Sequence, residues 1–230
     1  MTTNCTHIFA AAAALLLFAS CLGHAPARGV SDDDLAVIAD LNSYSSAARL
    51  QRLRYERYAD RASADGNRTA AGLFSALARS ERIHEQACVR AVSLLRGECR
   101  PMSSADVEVT DTRSNLRRSL DEERARFESG RGSAVERAIG ARNYYTARIL
   151  IWIDGTNRRH IELLERCMEA ADGRTADGEG CEYQVCPVCG NIYHAASCDA
   201  YCPLCRTCRT EFESFGRLKV HQTVADGVDD

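Results

Sequence analysis

Four cysteines near the C-terminus carry the clearest chemistry in this 230-residue chain. Cys186-Pro-Val-Cys189 is followed, thirteen positions after Cys189, by Cys202-Pro-Leu-Cys205. Two Cys-x-x-Cys knuckles can bring four thiolates to the corners of a tetrahedron, with metal–sulfur bonds of about 2.3 Å for zinc. Iron is held by the same donor set. Proline after the first cysteine of each knuckle fixes a tight turn, and Gly190 can take a positive φ at little cost. The pattern leaves the metal open between iron and zinc. It also leaves a second register, because Cys205-Arg-Thr-Cys208 is itself a Cys-x-x-Cys; Pro203 and the spacing to Phe212 favour Cys202 and Cys205.

A second constellation lies upstream. Glu81 and His84 are three residues apart, as are Asn157 and His160. On a helix, such pairs share one face. Two helices carrying Glu-x-x-His, with a Glu from each of two others, hold two metals in a bundle core. Here one of those glutamates is Asn157.

The elements needed to position these residues are long helices. Ser31 followed by Asp32, Asp33 and Asp34 is an N-cap with acid in the first turn. A first helix runs from there to about Ala64, and Asp65-Gly66-Asn67 turns the chain. A second spans Arg68 to Arg96, with Leu73, Leu77, Ile83, Cys88, Val92 and Leu95 at helical spacing. A long connection from Glu98 to Thr110 can cross the bundle end. A third helix is expected from Asp111 to about Ile139, weakened at Gly130 and Gly132. A fourth runs from Tyr144 to Ala171, with Ile149, Leu150, Ile151, Trp152 and Ile153 as core. The expected fold is mainly α. Its parts are a four-helix bundle over 31–173, a linker over 174–180, a four-cysteine metal domain over 181–217 and a tail over 218–230.

The N-terminus reads as targeting sequence. Ile8 to Phe18 is an apolar run of signal-peptide length. Phe18-Ala19-Ser20-Cys21 resembles a bacterial lipobox, which implies a signal over 1–20, lipidation of Cys21, a tether over 21–30 and a membrane-anchored, extracytoplasmic protein. Charge is nearly balanced, at −3 overall, so no pull toward nucleic acid is expected. Setting aside Cys5, Cys21 and the four ligands, the remaining six of twelve cysteines are Cys88, Cys99, Cys167, Cys181, Cys198 and Cys208. Outside the cytoplasm they can pair or stay free.

A helical bundle with a Glu-x-x-His motif, followed by two knuckles, resembles the rubrerythrin family: a ferritin-like bundle joined to a rubredoxin-like domain. Tyr55, Ala59, Gly66, Thr112, Asn115, Leu116 and Asp121 fall in with the resemblance, as does the spacing from Cys202 to Phe212. It implies iron at the four cysteines, a shield of Tyr183, Tyr193, Tyr201, Phe212 and Phe215 around it, electron transfer, a link to peroxide defence, a homodimer and a redox partner. It also shows what is missing. The family's first-helix glutamate falls at Ala48, 33 residues before Glu81. The third helix keeps Glu123, but its second glutamate falls at Arg126, and the glutamate of the fourth helix falls at Asn157. The resemblance thus leaves Glu81, His84, Glu123 and His160. Two divalent ions add four positive charges, and uncompensated buried charge costs several kcal/mol per ion, so this set suits at most one ion. With none, Arg126 can bridge to Glu81 or Glu123. The alternative is a non-catalytic, membrane-displayed scaffold with a structural zinc or iron knuckle.

Overall fold

The computed structural model describes residues 30–100, 106–129, 132–171 and 182–216. The signal segment, Cys21, the tether, the linker over 174–180, Cys181 and the tail beyond 216 lie outside the described residues. Among those described, no helix is long and apolar enough to cross a membrane.

Five helices form the larger part: α1 (Asp32–Ala64), α2 (Arg68–Leu94), α3 (Thr112–Glu128), α4 (Gly132–Gly140) and α5 (Tyr144–Ala171). The third expected helix is therefore two. Glycine at 130 and 132 raises the cost of continuing a helix by about 1 kcal/mol per residue, and α3 stops at Glu128, while α4 begins at Gly132. The other ends follow local chemistry. The Asn67 side chain accepts from the Ala70 N–H, and Asp111 accepts from the Ser114 N–H. Gly66, at φ +74°, lets the Asn67 N–H reach back to the Ala62 carbonyl and close α1.

The chain directions come from the contacts at the two bundle ends. The Thr112 hydroxyl and N–H donate to Asp65, so α3 begins at the end where α1 turns into α2. Asn42, near the start of α1, donates to the Glu98 carbonyl at the opposite end. The connection between α2 and α3 thus returns the length of the bundle, and α2 and α3 run parallel. One such crossover distinguishes ferritin-like bundles from simple up-and-down ones. At the far end, α4 is fastened to α1 by a bidentate Arg137–Asp40 pair, with distances of 2.7 and 2.6 Å.

The apolar faces meet in two layers. One holds Tyr55, Tyr58, Leu73, Phe74, Leu77, Leu116 and Leu164. The other holds Leu41, Cys88, Val92, Ile149, Leu150 and Ile153. Fully burying one such side chain contributes about 1.5–3 kcal/mol. Ile151, expected in the core, is 52% exposed instead. It falls outside the 3.6-residue stripe that Ile149, Leu150 and Ile153 share.

The C-terminal part is a small antiparallel sheet of β1 (Tyr183–Val185), β2 (Ile192–His194) and β3 (Glu213–Phe215), in the order β2-β1-β3. Val185 pairs with Ile192 on one side and Glu213 on the other. This sheet rests on α2 and α5. Arg79 of α2 makes a bidentate pair with Glu213 at 2.7 and 2.6 Å, and Arg159 of α5 donates to the Ile192 carbonyl. Gly72 of α2 lets Gly216 approach so closely that a Cβ there would sit 2.9 Å from the Gly216 Cα.

Candidate metal centres

The two knuckles have the same backbone plan. In the first, the Gly190 N–H donates to the Cys186 carbonyl, and the Cys186 N–H to the Asn191 carbonyl. In the second, the Arg206 N–H donates to the Cys202 carbonyl, and the Cys202 N–H to the Thr207 carbonyl. The residue after the second cysteine has positive φ in both, +79° at Gly190 and +67° at Arg206. The second position is held by arginine, at a cost of about 1–2 kcal/mol. Equivalent turns bring the sulfurs of Cys186, Cys189, Cys202 and Cys205 within 4.8 Å of one another. The Cys186–Cys205 and Cys189–Cys202 sulfur separations are 3.4 and 3.5 Å. Tetrahedral bonds of 2.3 Å imply edges of about 3.8 Å. The donor set fits a four-thiolate metal.

Cys208 lies outside this set. It faces Tyr201 in an isolated bridge, and its sulfur accepts from the Thr210 hydroxyl at 3.3 Å. Cys88, Cys99, Cys198 and Cys208 carry free thiols, so Cys198 and Cys208 are not paired. Burial raises the Cys88 thiol to about 12.

The shield around the sulfurs differs from the expected one. Tyr193 and Phe212 stack at 5.4 Å and pack on the cluster, joined by Trp152 from α5, whose indole donates to the Leu204 carbonyl at 3.1 Å. Tyr183 and Phe215 turn the other way and pack into the bundle core. Tyr201 is 53% exposed. Strand alternation accounts for part of this: Tyr183 and Tyr193 stand on neighbouring strands but are not register partners. The Tyr193 hydroxyl donates to the Cys202 sulfur at 3.1 Å and accepts from the Asn191 side chain at 2.7 Å. Burial, then the bond to Cys202, pushes this phenol well above the usual tyrosine range.

Inside the bundle, α2 supplies Glu81 and His84, α3 supplies Glu123 and Arg126, and α5 supplies Asn157 and His160. Glu81, His84, Glu123, Asn157 and His160 are all buried, as is Ala48 of α1. The His84 and His160 rings stack at 6.1 Å. Arg126 occupies the interior as a cation. Its guanidinium contacts Glu123 and lies 3.6 Å from Glu81. His160 Nδ1 is 3.5 Å from Glu123, and its Nε2 is 3.0 Å from the Ser80 hydroxyl. Tyr55, two turns along α1 from Ala48, donates to Glu123 at 2.7 Å.

Burial alone would raise the Glu123 carboxyl, but Arg126, His160 and Tyr55 outweigh it and bring it down to about 2. Glu81 is lowered too: its burial is overcome by His84 and then Arg126. Burial would lower the Arg126 guanidinium, yet Glu123 and Glu81 raise it. Arg126 therefore offsets one of the two carboxylate charges without an ion. Oxygens and nitrogens of Glu81, Glu123 and His160 also lie within 4.8 Å of one another, a spacing open to one ion. The residues do not fit two: α1 offers Ala48, α3 Arg126 and α5 Asn157.

The two centres touch. His84 Nε2 donates to the Cys189 carbonyl at 3.2 Å, while its Nδ1 is 3.2 Å from Glu81. Gly190 permits this, since a Cβ there would sit 2.7 Å from His84 Nε2. Of the sequence-expected shield, Tyr193 and Phe212 take their places; nothing in the sequence marks Ser80 or Tyr55 as part of either centre. Tyr55 shares a helix face with Ala48, seven residues on, which is the one signal that could have placed it.

Comparison with known proteins agrees with this geometry. The rubrerythrin family model matches residues 49–168, more than half of the chain. The chain belongs to the rubrerythrin family. Among solved structures, nigerythrin in its mixed-valence state superposes with a TM-score of 0.68 at 18% identity, over 77% of this chain and 86% of that one. Fully reduced, all-ferrous nigerythrin gives 0.69 at 18% identity, over 84% and 91%. No curated protein matches the sequence.

Proposed function

We propose that this protein is a one-electron carrier built on a rubrerythrin frame, with iron held by Cys186, Cys189, Cys202 and Cys205. The observation that carries this reading is the cluster of four sulfurs joined to the bundle interior through the Cys189 carbonyl and His84. Iron bound by four thiolates supplies reversible one-electron chemistry. The protein's own part is to hold the sulfurs and keep water off them with Tyr193, Phe212 and Trp152. The likeness to nigerythrin, whose reduced form is described as all ferrous, supports iron over zinc.

The bundle contributes support rather than two-metal chemistry. Arg126 takes up the charge of Glu81 and Glu123, so a link to peroxide defence rests on electron delivery to a separate acceptor. That same arginine favours a second reading, a scaffold with a structural zinc knuckle. The visible spectrum and metal count of the purified full chain decide between them. Ferric–thiolate colour with one iron per chain is expected; a colourless protein with one zinc supports the scaffold.

The rest of the proposal draws on sequence. The mature chain is anchored outside the cytoplasm by lipid on Cys21, and it forms a homodimer. Incorporation of an alkyne-labelled fatty acid, abolished by Cys21→Ser, tests the anchor. Sedimentation of the soluble part tests the dimer.

A further inference from the structure

We propose that two hydroxyl groups, those of Tyr193 and Thr207, raise the reduction potential of the four-cysteine centre by donating hydrogen bonds to the sulfurs of Cys202 and Cys205. This rests on the electron-carrier reading above and adds to it the residues that set the driving force.

The Tyr193 oxygen is 3.1 Å from the Cys202 sulfur, and the Thr207 oxygen is 3.1 Å from the Cys205 sulfur. A thiolate bound to a metal has no proton to give, so in both pairs the hydroxyl must donate. The Tyr193 oxygen already accepts from the Asn191 side chain at 2.7 Å, which turns its own proton toward sulfur. Stacking on Phe212 at 5.4 Å and near-complete burial fix the ring in that pose. Chains of this kind strengthen each member. Thr207 is fixed by its backbone, since its carbonyl accepts from the Cys202 N–H at 2.9 Å. Both bonds fall on the second knuckle.

The sign follows from charge. Four thiolates and one iron carry one more negative charge when reduced than when oxidised. A donor aimed at sulfur stabilises the more negative state more. Hydrogen bonds to sulfur are among the factors that set the potentials of iron–sulfur sites. Losing either hydroxyl therefore favours the ferric form.

The test is an equilibrium redox titration of the full chain, loaded anaerobically with ferrous iron, in four forms: wild type, Tyr193→Phe, Thr207→Val and Thr207→Ser. Each of the first two variants is expected to shift the equilibrium toward ferric about three- to tenfold, tenfold being about 59 mV for one electron. The sulfur-to-iron charge-transfer bands should move with it, and Thr207→Ser should restore the wild-type value. A role limited to packing would change the urea midpoint and leave the potential in place. Thr207 is only part-buried, so its variants carry the test even if Tyr193→Phe does not fold. Iron-loaded variants with unchanged or raised potentials overturn the hydroxyl assignment alone. A wild-type chain that takes up no iron overturns the four-sulfur reading with it.

Discussion

The Nε2 atom of His84 lies 3.2 Å from the carbonyl oxygen of Cys189, and the other nitrogen of the same ring lies 3.2 Å from Glu81. One imidazole thus connects the tip of a sulfur-bearing loop to a buried cluster of charge. The distance between the two parts of the chain is the width of a histidine ring. Four observations around it can be turned into measurements.

Replacing Gly190 by alanine should loosen the seam. The new Cβ meets His84 Nε2 at 2.7 Å, and the backbone there is at φ +79°. Left-handed backbone alone costs a side-chain-bearing residue about 1–2 kcal/mol, and the contact adds to it. Amide exchange of Ile192, Tyr193 and His194 should speed up, while that of Leu73 to Leu77 in α2 stays slow. Equal protection in both forms would contradict the tight seam.

Arg126 should matter for stability, since its guanidinium sits between two buried carboxylates. Arg126→Met leaves Glu81 and Glu123 without their cation, and breaking a buried pair typically costs about 3–5 kcal/mol. Urea unfolding measures this. Arg126→Glu reverses the charge and gives the interior a third carboxylate. Mass spectrometry of metal content should then show a gain over wild type after loading with ferrous iron or manganese. A variant as stable as wild type, or one with no gain in metal, would show that the guanidinium is not filling a cation's place.

Acid should destabilise the protein in a defined window. Glu123 titrates at about 2 in the folded chain, below the ordinary glutamate value of about 4.3. A lowered folded value means that stability is fully present above about pH 4.3 and is lost as pH falls toward 2. Glu81 acts in the same direction. The urea midpoint should drop between pH 5 and 2.5, and the drop should be shallower in Glu123→Gln. Parallel curves for the two proteins would count against the assignment.

The second knuckle can be checked by paired substitutions. Cys205→Ser should cost the protein its metal, and Cys208→Ser should leave one metal per chain. The reverse result would place the turn three residues later.

Much of the fold could be read in advance because its signals are local. The first helix closes at Ala64, as Asp65-Gly66-Asn67 suggests, and the last spans Tyr144 to Ala171 as expected. The arginine at position 126, where the family has glutamate, could be read from the resemblance. Other features depend on partners far apart in sequence. Nothing near Tyr183 tells that it faces Phe74's core rather than the sulfurs. Nothing near Gly190 announces His84. Arg52 and Arg54 look like solvated charge on α1, yet they bind Glu85 of α2 at 3.0 Å and Glu122 of α3 at 2.5 Å. Helical period reports a face; it does not report what that face meets.

The cation between the helices is part of the polypeptide. It arrives with translation, needs no loading step, and no chelator can remove it. Depletion of metal would act on the sulfur loops, while the guanidinium beside Glu81 and Glu123 would stay in place through starvation and resupply alike.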